Sequence, residues 1–252
     1  MKKNREKPVS TVLLRGTIAK LERSRRSHDF VLTQVQQRQL GATAVGAAAM
    51  GMGAAGIGLV SMASNSDEEA EWVEFELDGK KMQGWLWLLP MRNGDEVEVV
   101  AEKLADDRYI VYSVKRDGDD IVAMYPHATA GRRAHYRSMT KIMLWTFFIL
   151  YAILVIGTYL KGGISSDLYA YAVSMATIGV GGFVAFGIIF YRVSLRLMGF
   201  VRLAETVFRT YGWPDVENID LRKTSREFRG TNTLSNYGRH YFRYKLNAGS
   251  QA

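Results

Sequence analysis

The sequence predicts a membrane protein of mixed α+β class: a transmembrane helical hairpin attached to a small soluble β-barrel of OB or SH3-like type, with a Gly/Ala-rich, membrane-active insertion. Three observations lead there. Residues 142–160 and 168–191 are uncharged and apolar on every face, joined by the polar link 161–167. Residues 67–127 hold short runs rich in alternating apolar residues, separated by turn signals such as Asp78-Gly79 and Asn93-Gly94. Residues 40–63 carry no charge at all and contain six glycines.

The hairpin follows from length and from its flanks. At about 1.5 Å per residue, helices over 142–160 and 168–191 would be roughly 28 and 36 Å long, against a hydrocarbon core of about 30 Å. An amphipathic helix of a soluble protein has a polar face, and these have none; the alternative is a two-helix core buried in a large soluble domain. Trp145 near the start, and Tyr159 and Tyr169 near the link, are candidate interface anchors, because amphipathic rings favour the headgroup level. Arg132, Arg133 and Arg137 precede the hairpin and Arg192 and Arg196 follow it, so the positive-inside rule places both outer flanks in the cytoplasm.

Taken in order, residues 1–10 read as a flexible start. Residues 11–22 and 28–34 are rich in β-branched and apolar side chains about the basic turn 23–27, which predicts a β-hairpin. Five further strands are expected in 67–127, ending with 121–125, so 11–35 and 67–127 together make a composite barrel; either part alone would leave open edges. Between them lies the tract 36–66. Its small residues recur four apart, as in Ala47, Gly51 and Ala55, with Gly46 and Gly58 beside them, a spacing that lets helix backbones approach closely in a membrane. A single pass there would separate the two parts of the barrel, so a re-entrant path is expected, with a plain single span as the alternative.

Residues 192–211 keep helical periodicity among arginines and predict a basic amphipathic extension lying in the membrane interface, closing the helical region 132–211 at Gly212-Trp213-Pro214. Residues 212–252 read as a basic, aromatic-containing tail docked on the barrel. The second span carries a further small-residue line, Thr177, Gly181 and Ala185, suited to packing between helices and between copies of the chain.

Composition excludes several functions. Without cysteine there is neither a disulfide framework nor a thiolate metal site. The four histidines are scattered, and no phosphate loop, nucleophile elbow or zinc-protease motif occurs, so neither an enzyme nor a cofactor is expected. The net charge of +8 is concentrated beside apolar tracts, where lipid attraction and topology signalling account for it better than nucleic-acid binding. Both spans lack ionisable residues, which argues against coupled transport. No cleaved secretory signal is read at the N-terminus.

The ordered series His28-Asp-Phe30, the Gly/Ala tract, Glu71-Trp-Val-Glu-Phe-Glu-Leu-Asp-Gly79, Gly84-Trp-Leu-Trp87, Gly94-Asp-Glu-Val-Glu-Val-Val-Ala101, Tyr125-Pro-His127, Gly212-Trp-Pro-Asp215 and Lys223-Thr-Ser225 resembles a family of bacterial membrane proteins named as type VI secretion system effectors. The resemblance implies a toxin delivered by a contractile injection machine into a rival cell, with a machine component or a cognate immunity protein as partner. No catalytic residue carries over. The expected function is permeabilisation of a target inner membrane by a homo-oligomeric pore in the lipid bilayer. The alternative is a resident inner-membrane adaptor or immunity protein whose cytoplasmic barrel binds a protein partner, which the basic flanks favour because they match insertion from the cell's own cytoplasm.

Overall fold

The computed structural model describes residues 11–25, 70–104, 107–162, 168–228 and 236–245. They fall into two compact units, Met1–Ala134 with Met198–Ala252, and His135–Leu197.

The first unit is built on a closed barrel of five strands: β1 Thr11–Arg25, β2 Glu71–Leu77, β3 Lys80–Leu86, β4 Glu96–Lys103 and β5 Arg108–Arg116. The spatial order is β3-β2-β1-β4-β5, in which the meander β1–β2–β3 is followed by a strand returning beside β1, a Greek-key arrangement. Every neighbour in that series is antiparallel, and a parallel pairing of β3 with β5, from Lys81↔Arg108 to Gly84↔Val111, closes the circle. A Cβ at position 84 would lie 2.4 Å from the Val111 carbonyl oxygen, so this seam closes only with glycine there.

Strand β1 serves two neighbours because it bends. Thr11 to Thr17 pair with β4 and Ile18 to Arg25 with β2, the register shifting between Ala19 and Glu22, where Lys20 has a φ of +51°. Such an irregularity increases local twist and lets one strand turn a barrel corner. Inward-pointing Ile18, Val73, Phe75, Leu77, Leu86, Val97, Val99, Val111 and Val114 fill the interior, as the period-2 alternation of strands requires.

Outside the closure, the C-terminal half of β5 pairs with β6 Ile121–Met124, which pairs in turn with β7 Tyr241–Arg243. Helix α1 runs over Arg132–Gly162, α2 over Leu168–Thr210 and α3 over Leu221–Glu227. Asp220 starts α3, its side chain accepting from the backbone N–H groups of Arg222 and Lys223. The outer edge of β7 is covered by the same helix: Arg243 N–H donates to Ser225 Oγ at 2.9 Å and Thr224 Oγ1 donates to the Arg243 carbonyl at 3.3 Å. This blunts an edge that could otherwise recruit another strand.

A second apolar cluster lies between the sheet and these C-terminal elements. Trp87, Val100, Tyr112 and Met124 meet Leu203, Val207 and Phe208 of α2, with Trp213, Leu221 and Phe242, all buried. Helix α2 ends in a left-handed glycine: Gly212 has φ +71°, its N–H donates to the Arg209 carbonyl and that of Trp213 to the Phe208 carbonyl.

Four expectations need correction. Residues 23–25 are not a turn but the end of β1, paired with Val73, Trp72 and Glu71; the long strand wins because β2 satisfies its backbone groups. The strand 121–124 does not belong to the closed barrel, since β3 already takes the first half of β5. From Met198 onward α2 is part of the barrel unit, with Leu203, Ala204, Val207 and Phe208 buried against protein. Its apolar stripe therefore packs against protein. The C-terminal region, expected as a tail docked on the barrel, is instead a strand of the sheet, with β7 paired to β6 and Phe242 fully buried. The predicted strand 28–34 and the tract 40–63 lie outside the described residues.

Candidate functional site

The unit His135–Leu197 is the paired stretch of α1 and α2. Its axis is a ladder of side-chain rungs. Phe147 packs against Phe183 with ring centroids 5.2 Å apart and stacks near Tyr151 at 5.8 Å. The Tyr151 hydroxyl donates to the Met175 carbonyl at 2.9 Å, and Thr158 Oγ1 lies 2.9 Å from the Tyr171 hydroxyl. At the other end His135 Nε2 and Ser194 Oγ are 3.0 Å apart. Hydroxyls of Thr158, Ser174 and Thr177 turn back onto carbonyls of their own helices, which keeps polar atoms satisfied without water.

Small residues place the helices. A Cβ at position 179 would lie 2.9 Å from the Tyr151 hydroxyl, and Gly182 and Gly187 face Phe147 and Met143. The line Thr177, Gly181 and Ala185 is on the other side of α2: all three are exposed, and nothing lies within 4 Å of a Cβ built on Gly181. The intra-hairpin contact therefore uses the 179/182/187 glycines, and the expected packing line is left facing outward.

Between the basic ends of the unit the exposed surface is predominantly apolar. Both helices contain windows long and apolar enough to cross a membrane, and no residue of either window is buried. Trp145 is 71% exposed, Leu160 75% and Val180 68%, with Phe148, Ile153, Ile156, Val184 and Ile188 also exposed. Tyr159 and Tyr169, the expected interface anchors near the link, are exposed as well. An exposed apolar surface of this extent marks an interaction with lipid or protein.

The start of α1, up to Ala134, belongs to the barrel unit and is capped there. The N–H groups of the first residues of a helix have no intrahelical partner. Here Gly131 N–H donates to the Ile219 carbonyl, Arg133 and Ala134 N–H groups to the Glu217 carbonyl, and Arg132 N–H to Glu205 Oε1 at 2.9 Å. Glu205 is buried and also accepts from Arg209 at 3.1 Å. Glu217 pairs with both Arg132 and Arg133. A Cβ on Gly131 would sit 2.0 Å from the Val216 carbonyl oxygen, so the 216–219 turn docks as close as backbone allows.

No family model, curated protein or solved structure matches this chain.

The sequence-predicted residues are thus divided. Arg132 and Arg133 are engaged by Glu217 as root contacts, whereas Arg137 and Arg192 are exposed on the hairpin unit and Arg196 lies on α2. Gly46, Gly51, Ala55 and Gly58 lie outside the described residues. Sequence reasoning missed Glu205 and Glu217. Glu205 had a signal, being the one acid in the whole of α2 and sitting among its buried stripe. Among the described residues, no three His, Asp or Glu side chains converge in a way that could hold a metal ion.

Proposed function

We propose that this chain acts at a bacterial inner membrane as a type VI secretion system effector, its α1–α2 hairpin inserting and assembling with further copies into an ion-leaking pore. The observation that carries membrane insertion is the hairpin surface, apolar around its whole circumference and exposed. Burying one large aliphatic side chain is worth about 1.5–3 kcal/mol, and more than a dozen are exposed there. Oligomerisation is supported by the outward line Thr177, Gly181 and Ala185, which offers a close-approach surface not used within the hairpin. Delivery by a contractile machine rests on the resemblance of the ordered motifs alone.

The barrel is read as OB-like, since a closed five-stranded Greek-key barrel is the layout of that fold. Its β2–β3 face carries Glu74 and Glu76 with Lys81, and Glu74 stands opposite Glu22 of β1. Glu76 also pairs with Lys20 at 2.9 Å, and a face of such mixed charge suits a protein partner better than a phosphate backbone. Arg25 is the cross-strand partner of Glu71, so the chain between them leaves and rejoins the barrel at one point.

A second reading, a resident adaptor or immunity protein, is favoured by the basic roots of the hairpin, which suit insertion from the cytoplasm. The deciding experiment is membrane potential, followed with a voltage-sensitive dye in bacteria producing the protein with and without an export signal, beside a dye that reports large holes. Depolarisation confined to exported protein, without entry of the larger dye, is the expected result. Unchanged potential despite verified membrane insertion overturns the pore and leaves the adaptor reading.

A further inference from the structure

The hairpin carries a cluster of basic residues at one end, against the single Lys161 at the other. Two rungs bound it: His135 against Ser194, and Met143 against position 187. Between them lie Arg137 and Lys141 on α1 and Tyr191 and Arg192 on α2, all exposed, and Trp145 follows immediately beyond. Eight residues of helix separate 135 from 143, a band roughly 12 Å high, tall enough to cover a headgroup layer of about 5–8 Å. Past it the surface is apolar to Leu160, roughly another 26 Å. Within 135–162 and 168–197 the sequence contains no Asp or Glu.

We propose that this band is a binding site for anionic glycerophospholipid, whose phosphodiester is held by Lys141 and Arg192, with Arg137 adding to the field, while the Trp145 and Tyr191 rings sit at the ester level beneath. The inference rests on membrane insertion of the hairpin. Charge complementarity selects the occupant. A band bearing cations and no acid, directly below an all-apolar surface, matches a layer of negative headgroups above acyl chains. The spacing suits it too: Arg137, Lys141 and Trp145 are successive i, i+4 positions and so share one face of α1, placing two cations above one ring. A zwitterionic headgroup brings its own ammonium into this field and gains less. Each basic residue at an anionic surface strengthens binding by about fivefold, so two direct contacts set an upper limit of roughly 25-fold, which salt screening of exposed charges lowers to about tenfold.

The test is reconstitution of the full chain into vesicles of phosphatidylcholine alone and of phosphatidylcholine mixed with phosphatidylglycerol, followed by mild detergent extraction and quantification of the lipid that stays bound. Phosphatidylglycerol should be enriched about tenfold over its share in the vesicle. The enrichment should fall with salt, disappear in a Lys141→Gln, Arg192→Gln variant, persist in Lys141→Arg, Arg192→Lys, and be unaffected by Lys161→Gln at the opposite end. Equal retention of both lipids by the unaltered protein overturns the proposal, as does undiminished enrichment in the charge-neutral variant. Insertion into both vesicle types without preference sinks the lipid site alone. Failure to enter either membrane removes the hairpin reading along with it.

Discussion

Single residues decide how firmly the start of α1 is held within the barrel unit. Gly131 meets the Val216 carbonyl so closely that any side chain must displace the 216–219 turn and with it the carbonyls that cap α1. Gly131→Ala is expected to cost about 1–3 kcal/mol from overpacking, read as a fall of several degrees in the melting temperature of the detergent-solubilised protein. An unchanged melting curve would mean the turn yields freely. A second residue-scale prediction concerns alkaline pH. Burial pushes the hydroxyls of Tyr112 and Tyr211 far up, and that of Tyr125 up to about 12. Tyr112 donates to Glu102 at 2.7 Å and Tyr211 to Ser113 at 3.0 Å, so both act as protonated donors. Because the folded values exceed the unfolded one, near 10, the stabilisation is complete below that value and is lost as pH rises through the folded ones. Circular dichroism should show the barrel intact at neutral pH and unfolding above about pH 10, with a shallower dependence in Tyr211→Phe. An alkaline limb unaltered in that variant would assign the loss elsewhere.

Among elements, the two faces of α2 have different uses, and glycine substitutions separate them. Gly179 faces Tyr151, so Gly179→Leu should spread the α1–α2 pair. Gly181 faces open space, so Gly181→Leu should leave the hairpin intact and reduce association between copies. Cross-linking of the reconstituted protein, with an intramolecular α1–α2 cysteine pair as control, distinguishes them. Loss of the intramolecular link in the Gly181 variant would contradict this assignment. The same elements show what was legible in the sequence. The two long apolar helices were, because an all-apolar stretch is a local property; so were the strands around Trp72 to Leu77 and Glu96 to Glu102, whose alternation is local. The full length of β1 was not, since its basic end reads as a turn until Glu71 is known to lie opposite Arg25. Nor was β7, whose three residues carry no periodic signal. Its placement depends on β6 and α3, distant in sequence.

For the whole molecule, the barrel unit is discontinuous in the chain: the hairpin is inserted between Ala134 and Met198. Its second apolar cluster draws Leu203, Val207, Phe208, Trp213, Leu221 and Phe242 from beyond the insertion. Truncation after residue 228 removes β7 and the fully buried Phe242. The loss of one buried Phe side chain alone costs about 3–5 kcal/mol, a large part of the 5–15 kcal/mol that holds a typical domain folded. The truncated protein should therefore unfold at markedly lower denaturant than the full chain while its hairpin still partitions into membranes. Equal midpoints would show that β7 is dispensable.

That discontinuity also sets an order of events during synthesis. A ribosome reading this message completes all five barrel strands and then the apolar hairpin before it reaches Phe208, Trp213 or Phe242. The nascent barrel waits half-covered, with Trp87, Val100 and Tyr112 lacking their partners, until both greasy helices have emerged and found a place to go. Completion of the barrel unit thus waits on synthesis of the hairpin, and the chain reaches its final residues with its most apolar segment already made.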